Sequence, residues 1–246
     1  MKENKYDDPV FFDKYAQMER SQKGLAGAGE WHEFKKLLPD FNGKRVLDLG
    51  CGLGWHCVYA AQHGAARVVG TDISQKMLEE ARCKSADAGV TVEYLNIAIE
   101  DACFEEAAFD IVLSSLAFHY VASFAEICKN VYRLLSPGGD FVFSVEHPVF
   151  TAYGTGDWYY NENGAIMHWP VDRYFAQGKR QATFLDESVI KYHKTLTTYI
   201  DTLLQSGFSL RRVVEPEPDP ILLEQHPEYG DELRRPMFLL LAAQKN

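Results

Sequence analysis

Val46-Leu-Asp-Leu-Gly-Cys-Gly-Leu-Gly54 decides the fold of this chain. A short apolar run ends in an acid and alternating glycines, and 55–63 continues as a helical pattern stopped by Gly64. Glycine at positions 50, 52 and 54 lets the backbone turn tightly and approach a ligand, while the helix start beyond it offers free N–H groups. The spacing is Gly-x-Gly-x-Gly, whereas a dinucleotide fold opens on Gly-x-Gly-x-x-Gly. Asp48 stands just before the first glycine, where it repels a pyrophosphate and suits a cationic group such as an ammonium.

The pattern of a short strand and then a helix repeats across 44–145. Residues 67–70 form a second strand reaching Thr71 and Asp72, and Ser74 caps a helix with Met77, Leu78 and Ala81 on one face. Further strands are expected at 90–95, 109–114 and 141–145, with a helix at 124–135 stopped by Pro137-Gly-Gly139. Such alternation predicts a parallel sheet with crossover helices, whose ligand sits beyond the carboxyl ends of the strands. Asp72, at the end of the second strand, can accept both ribose hydroxyls of a nucleoside, or serve only as an acid at a helix start. Asp48 has its own plainer alternative as a turn-stabilising aspartate. After 147 the period is lost: 148–188 is rich in aromatics, and order returns as a helix at 189–205 and closing strands at 208–214 and 237–243.

The bulk properties narrow the field. The chain has 246 residues, 46% hydrophobic and 24% charged, which suits one soluble α/β domain with an insertion. A net charge of -10 argues against a nucleic-acid partner, which needs a basic face. Cys51, Cys57, Cys83, Cys103 and Cys128 are scattered without a CxxC pair, as in a reducing compartment. There is no signal-like apolar run at the start, nor a stretch of roughly 20 apolar residues. A cytoplasmic protein with no membrane contact is the expectation.

Val46-Leu-Asp-Leu-Gly-Cys-Gly-Leu-Gly54, Gly70-Thr-Asp-Ile-Ser74, Phe109-Asp-Ile-Val-Leu-Ser-Ser115 and Leu134-Leu-Ser-Pro-Gly-Gly139 resemble, in order and spacing, the motifs of class I S-adenosylmethionine-dependent methyltransferases. They look most like the small-molecule branch that holds ubiquinone-biosynthesis-type enzymes. The resemblance implies a Rossmann-like seven-stranded, mostly parallel sheet with an antiparallel C-terminal hairpin, helices on both faces and an aromatic-rich lid insertion. It implies a single domain: an N-terminal helical cap (1–43), a cofactor-binding core (44–147), the lid (148–188) and a closing segment (189–246). The implied cofactor is S-adenosyl-L-methionine. Asp48, Gly50, Cys51 and Gly52 would line its methionine end, Asp72 its ribose, and Ile73 and Met77 its adenine. Where the family commonly carries an acid after the third strand, this chain has Ala98. Glu100 or Asp101, or backbone groups of Ala98 and Ile99, would then meet the adenine amine. Ser114 would sit beside the methionine portion. Tyr15 and Arg20 would reach the cofactor carboxylate and Trp31 would cover it, unless Tyr15 and Trp31 are ordinary helix core.

Methyl transfer from a sulfonium is an in-line displacement, so the protein mainly has to orient the partners and exclude water. A general base is required only when the nucleophile arrives protonated. His119 and Tyr120 follow the fourth strand, and Glu146 and His147 the fifth. His147 and His119 are the catalytic candidates, His119 having a backbone-bonding role as its alternative. Tyr192 and His193 would open the last helix and pack. No metal site is expected, because His119, His147, His168 and His193 match no zinc spacing. The aromatics of the insertion, among them Phe150, Tyr153, Trp158, Trp169 and Phe184, make either an apolar lid or a satellite core or dimer contact. Arg173, Lys179 and Arg180 there either pair with an acidic substrate or are solvated. The expected activity is methylation of O, N or C of a small, apolar or aromatic metabolite. A non-catalytic S-adenosylmethionine-binding protein and a nicotinamide oxidoreductase remain as alternatives, and monomer and homodimer both stay open.

Overall fold

In a computed structural model describing residues 4–152 and 157–246, β1 (Arg45–Leu49) lies inside a seven-stranded sheet. Val46 packs into one hydrophobic cluster, and Leu47 and Leu49 into another on the opposite face. Burial on both faces is why this strand reads as a near-continuous apolar run. β2 (Arg67–Asp72) and β3 (Glu93–Asn96) extend the sheet on one side, and β4 (Phe109–Ser115) and β5 (Leu135–Glu146) on the other, all parallel. After β5 the chain makes two separate antiparallel pairs, β6 (Tyr159–Tyr160) with β7 (Ile166–His168) and β8 (Gly178–Phe184) with β9 (Glu187–His193). β10 (Phe208–Val214) and β11 (Phe238–Lys245) then complete the sheet in the order β10-β11-β5-β4-β1-β2-β3, with β11 antiparallel to both neighbours. This is the Rossmann-like α/β sheet with its antiparallel C-terminal hairpin.

Helices cover both faces. Of the N-terminal helices α1 (Pro9–Ala16), α2 (Glu19–Gln22) and α3 (Trp31–Leu37), the last joins α4 (Trp55–Gln62) and α5 (Gln75–Asp87) on one face, through Phe34, Leu37, Cys57, Ala60, Leu78 and Ala81. α6 (Phe124–Leu134) packs on the other face with Ile127, Val131 and Leu134 buried. The short α7 (Pro148–Ala152) follows β5, α8 (Leu196–Gln205) buries Tyr199 and Leu203 beside α6, and α9 (Pro220–Gln225) lies between β10 and β11. Ser74, Ser123 and Thr195 each accept the N–H three residues on, at 3.1, 3.4 and 3.2 Å. Caps of this kind contribute about 1 kcal/mol apiece. No helix among the described residues is long and apolar enough to cross a membrane.

The helix expected at 189–205 begins only at Leu196, and Glu187–His193 is a strand. Its inward residues Val189, Lys191 and His193 recur with period two, but two of them are polar. That inverts the usual apolar-inside pattern and hides the strand. Tyr192 and His193 therefore end a strand and do not open a helix.

Candidate active site

The loop after β1 is held open by its glycines. Gly50, Gly52 and Gly54 all have left-handed φ, at 73°, 51° and 75°. A Cβ on Gly54 would meet the Tyr94 hydroxyl at 2.3 Å and one on Gly50 would meet Ala117 at 2.6 Å, whereas one on Gly52 would meet nothing within 4 Å among the described residues. Gly52 therefore borders open space that a ligand can fill. Asp48 lies beneath this loop, 1% exposed, and its Oδ2 accepts from the Cys57 thiol at 3.4 Å. Its Oδ1 is buried and has no hydrogen-bond partner among the described residues. Burial raises the Asp48 carboxyl to about 7 and the Cys51 thiol to about 11. An orphaned buried carboxylate oxygen under an open glycine loop fits a ligand that brings its own donor or positive charge.

Asp72 ends β2 at the mouth of the same cleft. Its Oδ2 accepts from Gly52 N–H at 2.9 Å and its Oδ1 from Ser74 N–H at 2.8 Å. A carboxylate offers about four acceptor sites, so Asp72 keeps acceptor capacity for a ligand hydroxyl. Burial raises this group too, against the pull of the Ser74, Gly52 and Ile73 N–H groups. The N-terminal segment is tied to the same corner: the Ser74 hydroxyl and Lys76 N–H donate to Asp7 at 2.6 and 3.1 Å, and Asn4 donates to the Ile73 carbonyl at 3.2 Å. Tyr6, whose hydroxyl lies 3.2 Å from that of Tyr120, lines the cleft with Tyr15.

The cleft extends from Asp72 past the loop to β8 and β9, with a volume of about 680 Å³. Ile73, Met77, Ala98, Ile99 and Glu100 line one end, Gly50, Cys51, Gly52, Tyr15 and Arg20 its middle, and His119 the far part. Arg20 gives one nitrogen to both oxygens of Glu30, at 2.6 and 2.7 Å, so its charge already has a carboxylate partner. Trp55 also borders the cleft, and its indole N–H is buried without a hydrogen-bond partner among the described residues.

At the far end, Lys191 donates to Glu146 Oε1 at 2.6 Å, the lysine being buried and the glutamate mostly so. His119 Nδ1 accepts from Glu146 N–H at 3.5 Å, and its Nε2 lies 3.9 Å from Glu146 Oε1. Burial lowers the His119 pKa to about 4, so the ring is neutral at neutral pH. Lys194 ties this corner together by donating to the carbonyls of Phe118, Val121 and Tyr192 at 3.2, 2.6 and 3.2 Å.

Asp48, Ser114 and His147 do not line the cleft. Ser114 is fully buried and donates to the Leu49 carbonyl at 2.7 Å, while the next residue, Ser115, faces the cleft. An offset of one residue along a strand reverses the face. His147 sits outside the cleft, 3% exposed, with Nδ1 accepting from Val149 N–H at 3.0 Å and Nε2 at 2.7 Å from Glu215. Trp31 packs against Phe34, His56 and Tyr59 and does not cover the cleft. His193 bonds the Thr151 hydroxyl at 2.8 Å and the Tyr174 carbonyl at 2.7 Å, and no metal-binding group of three His, Cys, Asp or Glu occurs among the described residues.

The aromatics of the insertion fall in two places. Phe150 and Phe184 line the cleft. Trp169 stacks on Phe150, and the Arg235 guanidinium lies 4.2 Å from the Trp169 ring centre and 5.1 Å from that of Trp158, a satellite cluster. Tyr153 lies outside the described residues. The residues that β8 and β9 bring to the cleft include Arg180 and Lys191, directly opposite one another in the register. Lys191 had no signal in the sequence, since a lysine on a short strand ordinarily points to water.

A carboxylate at the end of β2 and a glycine loop after β1 border one cleft of an α/β domain. A family model described as a methyltransferase domain matches residues 47–143. The crystal structure of a Listeria monocytogenes protein assigned to the S-adenosylmethionine dependent methyltransferases is 58% identical, with a TM-score of 0.84, over 91% of this chain and 99% of that one. An S-adenosylmethionine dependent methyltransferase from Mesorhizobium loti is 40% identical, with a TM-score of 0.83, over 90% of this chain and 100% of that one. A ubiquinone biosynthesis O-methyltransferase from Ralstonia nicotianae is 39% identical over 45% of this chain and 47% of its own length, so this chain spans about half of it. The chain belongs to the class I S-adenosylmethionine-dependent methyltransferases. Its cofactor is S-adenosyl-L-methionine, and the nicotinamide alternative falls.

Proposed function

We propose that this enzyme methylates O, N or C of a small metabolite held between the glycine loop and the β8–β9 hairpin. The observation that carries this is the one continuous cleft from Asp72 to Lys191, whose volume of about 680 Å³ suits a cofactor with a small second ligand. In this reading Gly50, Cys51 and Gly52 border the amino acid end and Asp48 supplies its charge from below. Asp72 takes the ribose hydroxyls, and Ile73, Met77, Ala98, Ile99 and Glu100 surround the base. Tyr15 and Arg20 close the carboxylate end. When bound, the cofactor supplies an electrophilic sulfonium methyl; the chain's residues orient the acceptor against it and keep water out. Phe150, Phe184 and Val189 favour an acceptor with an apolar or aromatic body. The unit is a single domain, with 1–43 as a cap and the hairpin as cover.

The demethylated product, S-adenosylhomocysteine, at about 100 times its dissociation constant adds roughly 2.7 kcal/mol, a rise on the order of 5–10 °C in melting temperature for a chain of this size. NAD is expected to give none. Asp72→Ala should weaken binding at least a hundredfold by removing charge-assisted hydrogen bonds of about 1.5–3 kcal/mol each. Binding unchanged by that substitution overturns the ribose assignment.

A further inference from the structure

Resting on the methyl-transfer reading, we propose that Glu146 Oε2 takes the proton of the acceptor's nucleophile, and that the acceptor is therefore an O–H or N–H compound. Glu146 stands at the carboxyl end of β5 and lines the cleft. Its two oxygens are used unequally. Oε1 is held by Lys191 at 2.6 Å, while Oε2 is buried with no hydrogen-bond partner among the described residues. A buried carboxylate oxygen left bare is costly, so a ligand that donates to it is favoured there.

Position supports the same assignment. β2, β1, β4 and β5 are successive neighbours in the sheet, so Asp72 and Glu146 stand three strand spacings apart. At about 4.8 Å per spacing this is roughly 14 Å. A nucleoside anchored on Asp72 thus leaves room for its sulfur and a small nucleophile before Glu146 is reached.

The charge state is set by the surroundings. The titratable and charged groups facing Glu146 are Lys191 from β9, His119 from the turn after β4, Arg20 from α2 and Tyr199 from α8. Burial pushes the Glu146 carboxyl up, but the positive charges of Lys191 and Arg20 and the Lys191 hydrogen bond work against it, and the group lies below its ordinary value. Lys191 is a positioning residue: it keeps Glu146 ionised and turned so that Oε2 is free.

The step balances as follows. A lone pair on the acceptor's oxygen or nitrogen forms the new bond to the methyl carbon as the sulfonium–methyl bond breaks. The electrons of that bond stay on sulfur as a thioether. The proton of the O–H or N–H passes to Glu146 Oε2 and leaves to water after product release. A thioether acceptor has no such proton to give.

Sinefungin, which carries an amine in place of the sulfonium methyl, and S-adenosylhomocysteine serve as probes that require no acceptor. Calorimetry should show sinefungin binding at least tenfold more tightly to the wild type, because its amine faces Glu146. Glu146→Gln should bring the two affinities to within threefold while S-adenosylhomocysteine affinity is kept. A preference that is absent in the wild type, or that survives Glu146→Gln, overturns the proposal. If that variant does not fold, Glu146→Asp, which keeps the charge for Lys191, should retain a smaller preference; loss of all preference there would contradict it. With methyl-labelled cofactor and a small-molecule cell extract, the label should appear on oxygen or nitrogen, and Glu146→Gln should lower it at least a hundredfold. Label on carbon or sulfur overturns the O–H or N–H assignment alone. A wild type that binds both probes and labels nothing counts instead against methyl transfer itself.

Discussion

Asp48 carries a desolvation cost in the ligand-free protein. Its folded value is raised to about 7, above the ordinary carboxylate range. Between about pH 4 and 7 the unfolded chain has lost this proton and the folded chain keeps it, so the ligand-free protein loses stability as pH rises through that window. Full ionisation costs at most on the order of 4 kcal/mol. Asp48→Asn should therefore match the wild type near pH 4 and melt several degrees higher at pH 8 without ligand, while binding S-adenosylhomocysteine more weakly. A melting difference that is the same at both pH values would contradict this origin. The sequence placed an acid here and gave it a cationic partner. It did not show that the carboxylate lies under the loop, because the strand's alternation turns residue 48 toward Cys57 of α4. Similar reversals leave Ser115 and Glu146, and not Ser114 and His147, lining the cleft. Residue type and rough position were legible; the face was not.

At the scale of elements, the β8–β9 hairpin was missed for two physical reasons. Its inward face carries Lys191 and His193, and its turn lacks the usual signal. Leu185 and Asp186 both adopt left-handed φ, at 55° and 61°, positions where Asn-Gly is favoured. Left-handed backbone costs roughly 1–2 kcal/mol per non-glycine residue. The N-terminal segment helps to hold it: Lys14 donates to the Leu185 carbonyl at 3.0 Å, and Phe11 packs edge-on to Phe184. Replacing Leu185-Asp186 with Asn-Gly should raise the melting temperature by a few degrees, since the carbonyl for Lys14 is kept. A fall would mean that the Leu185 or Asp186 side chain matters more than the turn. By contrast the core strands and the Ser74 cap were readable, because tight apolar runs, glycine stops and cap residues act locally.

At the scale of the whole molecule, the sheet order places Asp72, the glycine loop and Glu146 along one row of strand ends. The N-terminal segment and the hairpin meet above that row through Lys14 and Phe184. An acidic protein with a net charge of -10 thus carries Arg20, Lys191 and Arg180 on its cleft. A crystal structure with S-adenosylhomocysteine tests the arrangement most directly. Both ribose hydroxyls should lie within hydrogen-bond reach of Asp72, with the sulfur turned across the cleft toward Glu146. A ribose bound away from Asp72, or a sulfur facing away from the hairpin, would contradict the account.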